Sequence, residues 1–95
     1  MRNEVVEFAN VMEEKLKANE HRGGWDECSI DFLTYRLREE QAELFTALRL
    51  YHMFPSDDTR KRVEDECADI ANFCLMIRDK VNQKPTEQGD VLWVK

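Results

Sequence analysis

Four acidic residues stand in two pairs of equal spacing: Glu40 with Glu43, and Glu66 with Asp69. Side chains three apart share one face of a helix, so each pair aims its carboxylates the same way. Carboxylates brought close together raise each other's pKa and destabilise a fold unless a cation sits among them. All-oxygen donors select hard ions, so the spacing predicts magnesium or manganese. A ferritin-like di-iron centre needs Glu-x-x-His. The two histidines, His21 and His52, follow Ala18 and Arg49 at that spacing, which disfavours iron. Cys28, Cys67 and Cys74 form no Cys-x-x-Cys, so no zinc site is expected. Cys67 and Cys74 would lie about 10.5 Å apart along one helix, too far to bridge. All three cysteines read as small core side chains in a reducing cytoplasm.

The elements that must carry these acids are helices. Val5, Phe8, Ala9, Met12 and Leu16 recur at three- and four-residue steps and predict a first helix over 3–18. Gly23-Gly24 ends any helix there and marks a mobile loop. Ser29 is a good N-cap for a second helix reaching about Met53. Its seam reads Ile30, Leu33, Leu37, Glu40, Leu44, Ala47, Tyr51, an a/d pattern with one acid intruding. Phe54-Pro55-Ser56 breaks that helix, because proline disfavours helical geometry in the residue before it. Ser56, Asp57 or Asp58 can cap a third helix over about 59–82. The third seam is Val63, Cys67, Ile70, Cys74, Ile77, Val81, and a second apolar stripe (Ala68, Ala71, Leu75) lies almost opposite.

So short a connection makes helices two and three an antiparallel hairpin. Glu43 lies 12 residues before Pro55 and Glu66 lies 11 after it; Glu40 lies 15 before and Asp69 lies 14 after. At about 1.5 Å per residue, Glu43 comes level with Glu66 and Glu40 with Asp69. On a helical wheel centred on Ile70, Glu66 falls about 40° away and Asp69 about 100° away. One acid is therefore inside the helix contact and the other at its margin. A lone Glu-x-x-Glu is usually a solvated face. Two pairs at one height, with Glu40 on an apolar seam, predict convergence around an ion. No basic residue is evident that would neutralise all four.

Composition bounds the rest. Ninety-five residues make one domain with a modest core. A helix apolar on two sides must be buried on two sides. The expected fold is all-α, a long hairpin plus an N-terminal helix, with a four-helix-type bundle completed by oligomerisation. Residues 84–95 form a tail whose Val91, Leu92, Trp93 and Val94 can dock on something, the other subunit included. The formal charge of −6 argues against a nucleic-acid polymer as partner. No run approaches the roughly 20 apolar residues of a spanning helix, so no membrane partner is expected. The N-terminus lacks a signal peptide's apolar core, which predicts a cytoplasmic protein.

Glu39-Glu40-Gln41-Ala42-Glu43, followed after 22 residues by Glu66-Cys67-Ala68-Asp69, resembles the EExxE…ExxD pattern of the all-α, MazG-like nucleoside triphosphate pyrophosphohydrolases. The likeness spans helices two and three. The segment His21-Arg22-Gly23-Gly24-Trp25-Asp26 also looks like one found in some MazG-like proteins of phages and mobile elements. The resemblance implies Mg²⁺-dependent hydrolysis of a (deoxy)nucleoside triphosphate to the monophosphate and pyrophosphate by a homodimer or homotetramer. The implied role is nucleotide-pool control, house-cleaning or service to a mobile element. Carried over, Glu40, Glu43, Glu66 and Asp69 match the metal ligands. Glu39 matches a residue that supports the metal or positions the attacking water, and Asn72 a substrate contact.

The residues fit such chemistry on their own terms. An acidic protein cannot hold a triphosphate directly, but Mg²⁺ can bridge carboxylates to phosphates and polarise the phosphorus. Lys15, Arg22, Arg36 and Arg62 are candidates to assist the leaving pyrophosphate, or are ordinary surface charges. Trp25 and Phe73 are candidate walls for the base, or core packing. Two other readings stand beside the enzyme: a non-enzymatic helical interaction module, and a family member that binds nucleotides without turnover.

Overall fold

A computed structural model describes residues 1–83; the tail residues 84–95, with the docking expected of Val91 to Val94, lie outside the described residues. The described residues form three α-helices: α1 (Asn3–Ala18), α2 (Ile30–Met53) and α3 (Asp57–Asn82). Two short 3₁₀ turns, Glu20–Arg22 and Trp25–Glu27, lie between α1 and α2. No strand occurs among the described residues, and none of their helices is long and apolar enough to cross a membrane.

Local chemistry sets the helix limits. Ser29 Oγ accepts the Phe32 amide at 3.0 Å and starts α2. Ser56 and Thr59 exchange side-chain-to-backbone hydrogen bonds at 3.1 and 3.0 Å, a capping box that starts α3 at Asp57, two residues earlier than the spacing suggested. Thr59 Oγ1 also donates to the Phe54 carbonyl at 2.8 Å, tying the tip of the connection to the new helix. Gly23, at φ 91°, supplies the one left-handed residue of the described chain.

The helices pack on each other. Arg36 meets Phe73 and Glu40 meets Glu66, so α2 and α3 pass in opposite directions. Asn72 Nδ2 donates to the Met12 carbonyl at 3.1 Å and Lys15 pairs with Asp69, so α1 lies on a neighbouring face of α3. Leu33, Ala47 and Ala68 are the buried apolar residues among those described.

Two expectations about α3 change here. Cys74 and Val81, assigned to the seam with α2, are exposed; the side that meets α2 is turned toward Glu66 and Phe73. The cause is competition, since α1 and α2 divide the surface of α3 between them. The second change concerns the stripe of Ala68, Ala71 and Leu75, of which Ala68 is buried without another subunit while Ala71 and Leu75 are half-buried. Ala68 is fully buried within one chain, and Asn72 beside it is covered by α1. On α2, Phe32, Tyr35, Phe45 and Met53 are left exposed, as are Val5 and Val6 of α1 and Val81 of α3.

Leu33 is the largest fully buried side chain among the described residues. Leu33→Ala is expected to cost about 2–5 kcal/mol, as buried leucines do when truncated. Chemical denaturation of the two proteins side by side checks it; a loss under about 1 kcal/mol would contradict this packing.

Candidate metal centre

Glu40 and Glu43 on α2 meet Glu66 on α3 midway along the contact of the two helices. One carboxylate oxygen from each lies within 4.8 Å of the others. Glu40 is 5% exposed, Glu66 half-buried and Glu43 exposed, so the cluster runs from the interior to the surface. Oε1 of Glu40 and Oε1 of Glu66 are both buried and accept no hydrogen bond. Leaving such an atom unpaired costs about 1–3 kcal/mol, and more when it is charged. Hard oxygen donors held on two rigid helices, two of them unpartnered, fit a hard divalent ion.

Asp69 is close to this group without joining it. Its Oδ1 pairs with Lys15 Nζ of α1 at 3.2 Å, while its charge still acts on Glu66. Arg36 is the second local cation. It donates to Glu39 and, at 3.0 Å, to Oε2 of Glu40, the three- and four-residue neighbours on its own helix. Its guanidinium carbon lies 5.1 Å from the centre of the Phe73 ring, a cation–π contact across the helix interface. The hydrogen bond to Glu39 raises the Arg36 pKa above its ordinary value, against the lowering effect of partial burial. Five carboxylates thus face two cations, and the surplus is negative.

The remaining predicted residues divide by distance. Arg62 lies beside Glu43, lining with Ala42 and Thr46 a recess of about 200 Å³. Asn72 is 4% exposed and bonded to α1; its Oδ1 has no partner. Trp25 is not brought to the acids. Its indole N–H donates to Asp79 Oδ2 at 2.9 Å, ten residues beyond Asp69, or about 15 Å along α3. Lys80 Nζ donates to the Asp26 carbonyl at 2.8 Å and fastens the same loop to the end of α3. Arg22 is exposed, with no side-chain hydrogen bond or ion pair among the described residues. The Cys67 thiol is pushed up by burial first and by Glu64 and Glu66 next, which keeps it protonated.

Comparison with protein-family models, with curated proteins and with solved structures finds no match to this chain. The centre is therefore read from its own chemistry. Sequence spacing alone could have linked Arg36 to Glu39 and Glu40. No local signal announces the Lys15–Asp69 pair, which depends on how α1 lands on α3.

Burial first, then the neighbouring Glu40 carboxylate, toward which only a protonated Glu66 could donate, and the charges of Glu40, Glu43 and Asp69 push Glu66 from an ordinary 4.5 up to about 7. Across that window the folded chain holds a proton that the unfolded chain has released, so metal-free stability falls as pH rises. A divalent ion needs Glu66 ionised and expels the proton on binding. Mn²⁺ affinity is therefore expected to climb with pH to about 7 and then flatten. Calorimetric titrations across this range test the rise, and Glu66→Gln should remove the fall in metal-free stability. Equal Mn²⁺ affinity throughout would show that Glu66 is already ionised.

Proposed function

We propose that this chain is a Mg²⁺- or Mn²⁺-dependent pyrophosphohydrolase of the MazG-like kind, converting a (deoxy)nucleoside triphosphate to the monophosphate and pyrophosphate. The observation that carries the reading is the pair of buried, partnerless oxygens on Glu40 and Glu66, with Glu43 within 4.8 Å at the surface. That is a donor set for a hard ion, open on the side a charged substrate would approach. Asp69 is the fourth ligand in this reading and must leave Lys15 to join. When bound, the ion supplies charge neutralisation and Lewis acidity at the phosphates.

The chain's own residues take the other tasks. Glu39, beside Glu40 and partly exposed, is the group assigned to position the attacking water. Water adds at the α-phosphorus, and the bond from that phosphorus to the bridging oxygen breaks as pyrophosphate leaves. Arg62 lines the recess next to Glu43 and makes no ion pair among the described residues, which leaves it available to the departing phosphates. Phe73 offers the nearer aromatic wall, whereas Trp25 is held at the far end of α3. Nucleotide-pool control or house-cleaning in the cytoplasm is the role proposed for such an activity.

Assembly belongs to the same proposal. The exposed Phe32, Tyr35, Phe45 and Met53 of α2 give a second copy an apolar surface on which to complete a four-helix-type bundle as a homodimer or homotetramer. The same surface favours a second reading, a non-enzymatic interaction module.

Millimolar Mg²⁺ or Mn²⁺ is expected to raise the melting temperature by mass action, and Glu43→Gln to reduce that rise greatly. Pyrophosphate release from a panel of canonical and modified nucleoside triphosphates is expected in wild type and not in Glu43→Gln. Equal metal shifts in both proteins would reject the centre. A metal shift and nucleotide binding without pyrophosphate would leave a binding protein.

Light scattering is expected to give a multiple of the 11.3 kDa chain at micromolar concentration. Phe45→Glu, placed on the outer side of α2, should shift it toward a monomer. A wild-type monomer at that concentration would reject the assembly.

A further inference from the structure

Arg36 is oddly placed for a cation-binding centre. A fixed positive charge 3.0 Å from Oε2 of Glu40 repels any ion that the same carboxylate would bind. Two of its five N–H donors are given to Glu39 and Glu40, and those two bonds hold the guanidinium against its own helix. The contacts suggest another use. Arg36 occupies one oxygen of Glu40 and leaves the other, Oε1, buried and unpartnered, in a residue that has a carboxylate oxygen within 4.8 Å of Glu43 and Glu66. Its planar fork spans two adjacent side chains, Glu39 and Glu40, that a helix would otherwise splay by about 100°. Phe73 supports the guanidinium from α3, so the orientation of a residue on α2 is set partly by the opposite helix.

We infer that Arg36 is a positioning residue: braced on Phe73, it locks the Glu40 carboxylate so that Oε1 points into the Glu40–Glu43–Glu66 cluster, raising divalent-cation affinity despite its own positive charge. The inference rests on reading those three carboxylates as metal ligands. It gives Arg36 a task different from contact with pyrophosphate.

The sign of the effect separates this from electrostatics. Removing a nearby cation should tighten metal binding if charge alone matters. Removing an orienting partner of a ligand typically weakens metal binding by about 10–100-fold. Calorimetric titration of the whole chain with Mn²⁺ alone, without nucleotide and at constant ionic strength, reads the difference. Arg36→Ala is expected to weaken Mn²⁺ binding by at least about 10-fold. Arg36→Lys keeps the charge and the stem but cannot hold both carboxylates in one plane, so it should also bind more weakly. The lysine variant carries the comparison if the alanine variant does not fold. Phe73→Leu keeps bulk without the aromatic face and should weaken binding in the same direction, by less. Wild-type or tighter Mn²⁺ affinity in either folded Arg36 variant overturns the inference. Absence of Mn²⁺ binding by the wild-type chain fails differently: it overturns the metal reading on which the inference stands.

Discussion

Glu40 carries a carboxylate into the contact between α2 and α3, where only 5% of the residue remains exposed. Withdrawing an ionised group from water costs several kcal/mol, and a single partner seldom repays it. Arg36 satisfies Oε2; nothing in the described chain satisfies Oε1. The neighbours make the imbalance worse, because Glu66 presents a second buried oxygen without a partner. The chain responds by holding a proton: Glu66 is pushed to about 7, so one negative charge is suppressed below that pH. Such an arrangement weakens the fold, and any cation that bound it would stabilise the folded chain by mass action.

The surrounding structure can be understood as support for that unfavourable group. Lys15 from α1 partly offsets Asp69, and Asn72 fastens α1 to α3 through the Met12 carbonyl. Phe73 holds Arg36 from the opposite side of the interface. Leucine and alanine packing then falls on either side of the polar layer along α2, with Leu33 and Ala47 each 1% exposed. Apolar layers above and below keep the two helices together while the middle remains strained by like charges.

Much of this was legible in residue types and spacing, and the physical reason differs for each part. Serine caps and the Pro55 break are local chemistry, so the limits of α2 could be read within the chain itself. Glu40 stood out because an acid on an apolar seam violates the pattern around it, and violations of that kind collect at functional sites. The orientation of α3 was less legible. Periodicity shows which residues share a stripe but not which of two stripes wins when α1 and α2 both need the helix, and Cys74 lost. Asp69 and Trp25 depended on long-range partners, Lys15 and Asp79, that no local spacing specifies.

The register of the acids is ultimately set at the other end of the two helices. Glu43 and Glu66 lie 12 and 11 residues from Pro55, and only three residues separate α2 from α3. Within that short span Ser56 caps α3, and Thr59 returns bonds to Ser56 and to Phe54. One residue inserted in α3 between its cap and Glu66 would displace Glu66 by about 1.5 Å and turn it by about 100° relative to the cap. The displacement is small, but the turn would carry Glu66 from the contact to its flank and bring Asp65 into its place. The capping box far from the carboxylates therefore does for their height and angle what Arg36 does for a single side chain. Both confine groups that repel one another to a single arrangement, the one on which the proposed metal reading depends.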